Sequence, residues 1–179
     1  MIQKIYKEFN ISSSHKLDLP YESKCNRLHG HNYKIEVSIG GIVDSNFMIM
    51  DFTILSKIVK YFDHKDLNDL MVLDRFYELE VQPTAEMLVI RIAKDILEWH
   101  LVQKEKTIKG LQIRAWETGS CYADVFIQEK EFPEFLQSYV TNLEILPMFH
   151  AGGIIDPQDM VKIKDEIAAK SGDHIIESK

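Results

Sequence analysis

Two alternating segments near the N-terminus constrain the fold of this chain more than any other feature. In residues 29–39, side chains alternate between two faces, and the residues sharing one face are His29, His31, Tyr33, Ile35, Val37 and Ile39. Residues 1–15 alternate in the same way, and the shared face there holds Ile5, Phe9, Ile11, Ser13 and His15. Because successive side chains of a strand point to opposite sides, both segments are predicted to be strands. A hairpin through the polar loop at 16–28 would place His15 beside His29 and His31.

The next part of the chain predicts two helices and two further strands. The apolar spacing in residues 53–61 is helical, and Thr84 is the predicted N-cap of a second helix that runs to about Val102. Residues 107–118 and 120–129 alternate as strands. This order predicts an α+β fold, in which a four-stranded antiparallel sheet carries the two helices on one face.

The sequence pattern changes at about residue 130. Residues 1–130 carry the regular patterns and are predicted to form one domain. In residues 131–179 prolines and glycines interrupt the pattern, and a short terminal helix is predicted over 157–170. We therefore expect residues 131–179 to be an extension, without an assigned role, to a core that is complete without them.

Composition argues against several classes of protein. The formal net charge of −7 disfavours nucleic acid as the main partner, although it leaves a small anionic substrate open. No run approaches the roughly 18 apolar residues of a membrane span, and charges near the N-terminus disfavour a secretion signal. Two cysteines, Cys25 and Cys121, do not make a disulfide framework. We expect a cytoplasmic protein that contacts neither nucleic acid nor membrane.

The motif His29-Gly30-His31 is the sharpest chemical feature of the sequence. Residues two apart on a strand project from the same face, and His15 would join them across the hairpin. Zinc accepts neutral imidazole, and three histidines that leave one coordination position open are typical of a catalytic zinc site. The alternative is three unrelated histidines, which is the commoner meaning of an isolated pair on a strand. His15 and the residues described next favour the zinc site, although imidazole also accepts other divalent metals.

Cys25 and the pair Asp63-His64 are candidates for proton transfer. Cys25 lies in the loop four residues before His29, where a zinc ion or Arg27 would lower its pKa and supply a thiolate. The alternative is an inert, small hydrophobic residue. Asp63 can fix the tautomer of His64 and raise its basicity, whereas an isolated pair of this kind in a loop is usually solvated.

Glu117, Thr84 and Glu86 are candidates for substrate binding. Glu117 ends a predicted strand on the same side as three apolar residues, and it is either a functional anchor or exposed at the sheet edge. A carboxylate suits a guanidine-like edge, such as the amino-pyrimidine of a pterin, through two parallel hydrogen bonds. Glu86 follows the Thr84 cap, where a favourable interaction with the helix dipole is a sufficient explanation for it.

The ordered set of these motifs resembles the 6-pyruvoyl-tetrahydropterin synthase superfamily, and within it the 6-carboxy-tetrahydropterin synthase branch of queuosine biosynthesis. The matching pieces are SSSHKL around His15, CNRLHGHNYKIEV from Cys25, MDFTILSKIV from Met50, DHKDLND from Asp63, PTAE from Pro83 and AWETGS around Glu117. They follow the family's order over residues 1 to about 130. Three residues separate Cys25 from His29, a spacing similar to the carboxy-pterin branch.

The resemblance implies a fold, an assembly and a set of residue roles. It implies the tunnelling fold, in which subunits join their sheets into an oligomeric barrel with active sites at subunit interfaces. It implies one zinc ion per subunit as the cofactor, held by His15, His29 and His31. By the same resemblance, Cys25 would accept a proton, and His64, supported by Asp63, would act as an acid/base relay. Glu117 would anchor the pterin. Thr84 and Glu86 would lie near the pterin pocket.

The implied reaction converts 7,8-dihydroneopterin triphosphate to 6-carboxy-tetrahydropterin, acetaldehyde and triphosphate. Two alternatives stay open on the sequence alone. The first is a 6-pyruvoyl-tetrahydropterin synthase, which eliminates triphosphate without losing two carbons. The second is a non-catalytic pterin-binding or metal-binding relative that has kept the fold.

Overall fold

A long antiparallel hairpin forms the centre of the structure, a computed structural model that describes residues 1–72 and 82–139. Strand β1 (Gln3–His15) pairs with β2 (His29–Gly41), and His15 lies opposite His29. The predicted hairpin is therefore confirmed. Because the two strands are in register to their ends, the face that carries the histidines is continuous across both strands.

Three further strands complete the described sheet. Strands β4 (Ile108–Trp116) and β5 (Tyr122–Gln128) extend it antiparallel beside β2. On the other side, the two-residue strand β3 (Lys65–Asp66) pairs parallel to β1, which gives the order β3-β1-β2-β4-β5. The prediction of four antiparallel strands was wrong in this respect, since the described sheet has five strands and is mixed. A two-residue strand is too short to show any alternation, so its sequence reads as a loop.

The described part of the chain has four α-helices where the sequence analysis predicted two within the core. Helices α1 (Phe52–Lys60) and α3 (Ala85–Val102) match the predicted pair. Helices α2 (Leu67–Val72) and α4 (Phe132–Tyr139) are additional. Both are short, and a helix of one or two turns gives too little apolar periodicity to be distinguished from a loop.

Side-chain caps begin the two predicted helices. The Thr84 hydroxyl accepts a hydrogen bond from the backbone N–H of Met87 at 3.4 Å, and this confirms the predicted N-cap of α3. The Asp51 carboxylate accepts from Thr53 N at 2.6 Å and caps α1 in the same way. Each cap satisfies a backbone donor that would otherwise have no partner, and such a cap contributes about 1 kcal/mol.

The hydrophobic core lies between the helices and one face of the sheet. Its fully buried members from the sheet and the helices include Ile11, Tyr33, Ile35, Ile39, Leu55, Ile58, Leu88, Ile92 and Ile96. Burying one such side chain stabilises the fold by about 1.5–3 kcal/mol relative to exposure. At one end of the sheet this same face ends in His15 and His31. The pattern that builds the core therefore also directs these imidazoles to the helix side of the sheet.

Helix α4 packs against α3 and begins the segment that was predicted to be an extension. Its side chains Phe132 and Leu136 are buried with the core. The predicted terminal helix at 157–170 lies outside the described residues, as does the rest of 140–179. The division of the chain at residue 130 stays a prediction.

Candidate active site

Three histidines meet where β1 ends and β2 begins. Their ring centroids lie 4.6 Å apart for His15 and His29, 5.1 Å for His15 and His31, and 4.9 Å for His29 and His31. One nitrogen from each ring lies within 4.8 Å of the other two, so the group can hold a metal ion. The metal-capable group found among the described residues contains neither Cys25 nor His64.

The distances between the ring nitrogens fit a tetrahedral metal site. The Nε2 atoms of His15 and His29 lie 3.2 Å apart. Two ligands of a tetrahedral zinc ion with Zn–N bonds of about 2.0–2.1 Å lie about 3.3 Å apart. Two nitrogen lone pairs repel at this distance unless a proton or a cation lies between them. The residues present therefore fit a zinc ion, and imidazole donors fit other divalent metals as well.

Backbone carbonyl oxygens set the orientation of two of the rings. Nδ1 of His15 lies 2.6 Å from the carbonyl oxygen of Pro83, and Nδ1 of His29 lies 2.7 Å from that of Arg27. Because a carbonyl oxygen only accepts, each Nδ1 carries the proton, and the Nε2 lone pair is left to bind a metal. Sequence reasoning missed both partners, because any residue can supply a backbone carbonyl.

His31 lies in a partly buried position beside Glu117. Burial lowers the pKa of His31 below its ordinary value, while the Glu117 carboxylate acts in the opposite direction. The neutral imidazole that burial favours is the form that binds a metal. Oε1 of Glu117 lies 3.5 Å from Nε2 of His31 and 3.6 Å from Nε2 of His15. The structure therefore brings Glu117 to the three histidines.

Tyr33 also belongs to the site, although the sequence pattern predicted only that it lies on the same strand face as His29 and His31. Its side chain is 1% exposed, and its hydroxyl donates to Oε1 of Glu117 at 3.4 Å. Its ring lies edge-on to that of His15 and tilted against that of His31. Burial and the neighbouring carboxylate raise the pKa of Tyr33 above its usual value, so the hydroxyl keeps its proton and acts as a donor. Its sequence signal is a tyrosine two positions after His31 on the same face.

Cys25 lies in a short 3₁₀ turn, Lys24–Asn26, in the loop between β1 and β2. The Ser23 hydroxyl accepts from Cys25 N at 3.1 Å, and Leu17 N donates to the Cys25 carbonyl at 2.8 Å. The Cys25 side chain is half-buried and has a free thiol. These bonds hold the Cys25 backbone against the segment that follows β1.

Two carboxamide side chains hold the segment that follows His15. Asn68 accepts from the backbone N–H of Lys16 at 2.7 Å and donates to its carbonyl at 2.8 Å. Gln82 makes the same pair of bonds to Asp18, at 2.8 Å and 3.4 Å. Gln82 is the residue before Pro83, whose carbonyl orients His15. The chain segment leading into α3 therefore positions both a histidine of the cluster and the loop that carries Cys25.

Asp63 and His64 form a hydrogen-bonded pair at the edge of β1. Nδ1 of His64 lies 3.0 Å from Oδ1 of Asp63, and the same carboxylate accepts from Ser12 N at 2.8 Å. The bond from Ser12 is the main reason that the pKa of Asp63 falls below its ordinary value. His64 has a φ of 58°, and its side chain is 82% exposed. Ser12 lies three residues before His15, or about 10 Å along the strand, so this pair is displaced from the three histidines.

Thr84 and Glu86 lie at the N-terminus of α3. Thr84 caps the helix, and Glu86 is exposed in its first turn, where its charge interacts favourably with the helix dipole. Their predicted place near a substrate stays a prediction.

The fold is shared with structurally known pterin synthases. The 6-pyruvoyl tetrahydropterin synthase of Caenorhabditis elegans matches with a TM-score of 0.50 and 23% identity, over 70% of this chain and 95% of that one. The Plasmodium vivax enzyme of the same name matches with a TM-score of 0.50 and 17% identity, over 72% of this chain and 99% of that one. The described fold and the histidine cluster thus define a pterin-synthase fold with a metal-capable site.

Sequence comparisons identify the family. The sequence model described as 6-pyruvoyl tetrahydropterin synthase matches residues 4–128. A Pyrococcus horikoshii protein named putative 6-carboxy-5,6,7,8-tetrahydropterin synthase is 37% identical over 140 residues, which is 69% of this chain and 89% of the relative. The Haemophilus influenzae protein named 6-carboxy-5,6,7,8-tetrahydropterin synthase is 36% identical over 68% of this chain and 96% of its own length. The chain belongs to the 6-pyruvoyl tetrahydropterin synthase family, a family of lyases.

In the part of the chain that the structure describes, no helix is both long and apolar enough to cross a membrane.

Proposed function

We propose that the protein is a zinc-dependent 6-carboxy-5,6,7,8-tetrahydropterin synthase. It would convert 7,8-dihydroneopterin triphosphate and one water to 6-carboxy-5,6,7,8-tetrahydropterin, acetaldehyde and triphosphate, in the cytoplasm and as a step toward queuosine. The observation that carries the proposal is the cluster of His15, His29 and His31, in which two carbonyl oxygens leave Nε2 free to bind metal beside the Glu117 carboxylate. The names of the similar archaeal and bacterial proteins support the carboxy-pterin branch.

One zinc ion per subunit would be held by His15, His29 and His31. When bound, zinc would supply a Lewis acid toward the side-chain oxygens of the substrate. The Pro83 and Arg27 carbonyls would keep their histidines in the tautomer that the ion requires.

Glu117 would bind the pterin ring. Its carboxylate is 30% exposed, and it can accept two hydrogen bonds from the amino-pyrimidine edge. Holding the ring fixes the place of the attached side chain, which is an orientation effect on the rate. Thr84 and Glu86 would lie at the rim of this pocket.

Cys25 would remove a proton from the substrate side chain. Its loop is held to the segment after His15 by the Leu17 hydrogen bond, so the thiol would keep a constant place relative to the histidines. His64 would relay protons to and from the substrate, and Asp63 would fix the ring tautomer through the contact to Nδ1.

The site would be completed by a second copy of the chain in a homo-oligomer. His64 is exposed and displaced from the histidine cluster, so it would serve the cluster of a neighbouring subunit. The described sheet also has two edges with unpaired strands, since β5 pairs only with β4, and β1 has no partner strand on its outer side over residues 3–11. Sheets of neighbouring subunits joined at these edges would give the barrel of the tunnelling fold.

Product analysis tests the proposed function. The zinc-loaded protein is incubated with 7,8-dihydroneopterin triphosphate, and the products are measured by mass spectrometry. A carboxy-pterin together with acetaldehyde is the expected result. A pyruvoyl-pterin would place the chain in the neighbouring branch of the family. Unchanged substrate that nevertheless stays bound would support a non-catalytic pterin-binding protein.

A further inference from the structure

The Tyr33 hydroxyl is the polar end of a side chain that otherwise belongs to the core. Tyr33 is 1% exposed and lies opposite Ile11 in the hairpin. Taking a hydroxyl out of water costs free energy unless a hydrogen bond replaces the lost water. Within the described residues, this hydroxyl donates a hydrogen bond to Oε1 of Glu117 at 3.4 Å. The structure thus places a tyrosine where a phenylalanine would pack equally well but would leave Glu117 without this donor.

The carboxylate of Glu117 can bind either the pterin ring or a metal ion at the histidine cluster. Its Oε1 atom lies 3.5 Å and 3.6 Å from two of the nitrogens that can bind metal. A carboxylate is itself a common zinc ligand, and its entry would occupy the position that a catalytic site keeps open. It would also remove the carboxylate from the pterin edge. The Tyr33 hydroxyl donates to this same Oε1 atom, and a hydrogen bond that occupies one of its lone pairs opposes this movement.

We propose that Tyr33 is a positioning residue that holds the Glu117 carboxylate in place to bind the pterin ring and keeps it from becoming a metal ligand. The proposal rests on the proposed function, because it assigns Tyr33 a part in the pterin binding that Glu117 performs. Tyr33 acts through Glu117 and does not touch the substrate.

A double-mutant cycle in zinc-free protein tests the proposal. The dissociation constant for 7,8-dihydroneopterin triphosphate is measured by equilibrium dialysis for the wild type, Tyr33→Phe, Glu117→Gln and the double variant. We expect Tyr33→Phe alone to weaken binding about tenfold, as for loss of one hydrogen bond to a charged group. In the Glu117→Gln background the same substitution should change binding less than about twofold, because coupled residues are not additive. Equal effects in both backgrounds, or no effect in the wild type, would overturn the role of Tyr33.

Tyr6→Phe is the matched control. The Tyr6 hydroxyl also donates to a glutamate, Glu8, at 3.1 Å, but it lies on the exposed face of the same hairpin. This substitution should leave pterin binding unchanged, and thermal unfolding of each variant verifies that it folds. A wild-type protein that binds no pterin, either zinc-free or zinc-loaded, would refute the proposed function together with the role of Tyr33. Pterin binding with an additive cycle would refute the role of Tyr33 alone.

Zinc affinity is a second readout, and the direction of its change distinguishes the proposal from a merely structural role, because loss of packing against the His15 and His31 rings would weaken zinc binding. If the hydroxyl restrains Glu117, then Tyr33→Phe should bind zinc more tightly than the wild type, because the freed carboxylate can join the three imidazoles. The gain should vanish in the double variant with Glu117→Gln. Weaker zinc binding by Tyr33→Phe would contradict the proposal.

Discussion

Nδ1 of His15 lies 2.6 Å from the carbonyl oxygen of Pro83, so a proposed metal ligand on β1 is oriented by the residue that precedes the N-cap of α3. This contact joins two segments that are 68 residues apart in the sequence. It fixes the proton on Nδ1 and directs Nε2 toward His29 and His31. The metal-capable cluster therefore depends on the packing of α3 against the sheet as well as on the hairpin.

Replacing His31 with alanine should remove zinc and turnover together. The protein would keep only two imidazole donors, and zinc affinity should fall more than the roughly 10–100-fold seen when an outer-shell partner is removed. Zinc content after dialysis, measured by atomic absorption, tests this expectation. His64→Ala is the control, because His64 lies outside the metal-capable group. Full zinc content in the His31→Ala protein would contradict the assignment of the ligands.

Replacing Cys25 with alanine should preserve zinc but slow turnover. The loss expected for a proton-transfer residue is roughly 10²–10⁴-fold. Steady-state rates with zinc-replete protein provide the measurement. Cys121→Ala is the matched control, since Cys121 is an exposed free cysteine in the turn between β4 and β5. Unchanged activity in the Cys25→Ala protein would eliminate Cys25 as the base.

Mixing two inactive variants should restore activity if each site takes Cys25 and His64 from different subunits. Random assembly of Cys25→Ala and His64→Ala chains would give up to about one quarter of sites with both groups intact. The measurement is turnover after the two proteins are denatured together and refolded. Each variant refolded alone serves as the control. Mixed protein that stays as inactive as its parents would show that both residues come from one subunit.

Acid should weaken the fold through His100. Burial, followed by the charges of Lys106 and Lys109, lowers the pKa of His100 from 6.5 to about 4. The unfolded chain therefore binds a proton on this side chain more readily than the folded chain does. The contribution of His100 to stability should be complete above pH 6.5 and should be lost as the pH falls to about 4, by about 3 kcal/mol in total.

Urea unfolding at several pH values measures this loss. His100→Gln should flatten the pH dependence of the free energy of unfolding between pH 6.5 and 4. The same slope for His100→Gln and for the wild type would show that His100 is not the group responsible.

Much of the fold follows from the periodicity of buried side chains. The alternation that ends at His15 and begins at His29 predicted the hairpin and the place of His15 beside His29, and Thr84 predicted the start of α3. The two-residue strand β3 and the short helices were missed, because they are too short to express a period. The periodicity of buried side chains thus predicts long helices and strands, but it does not predict short ones that tertiary contacts stabilise.

The candidate site was predictable to a smaller extent. The three histidines follow from strand spacing, because residues two apart share a face. The carbonyl oxygens of Pro83 and Arg27 leave no mark in the sequence, since every residue has the same backbone group. The part of the Tyr33 hydroxyl in the site was not predicted, because an aromatic residue on a buried face is normally a residue of the hydrophobic core. The displaced position of His64 depends on the contact of Asp63 with Ser12, which no local pattern encodes.

X-ray absorption at the zinc edge of the zinc-loaded wild-type protein tests the central claim most directly. The proposed site predicts one zinc per chain, with three imidazole nitrogens at about 2.0–2.1 Å and a light atom from water or substrate in the open position. It predicts no sulfur neighbour, because Cys25 is proposed to be a base and not a ligand. A sulfur shell at about 2.3 Å, or fewer than three imidazoles, would contradict the account.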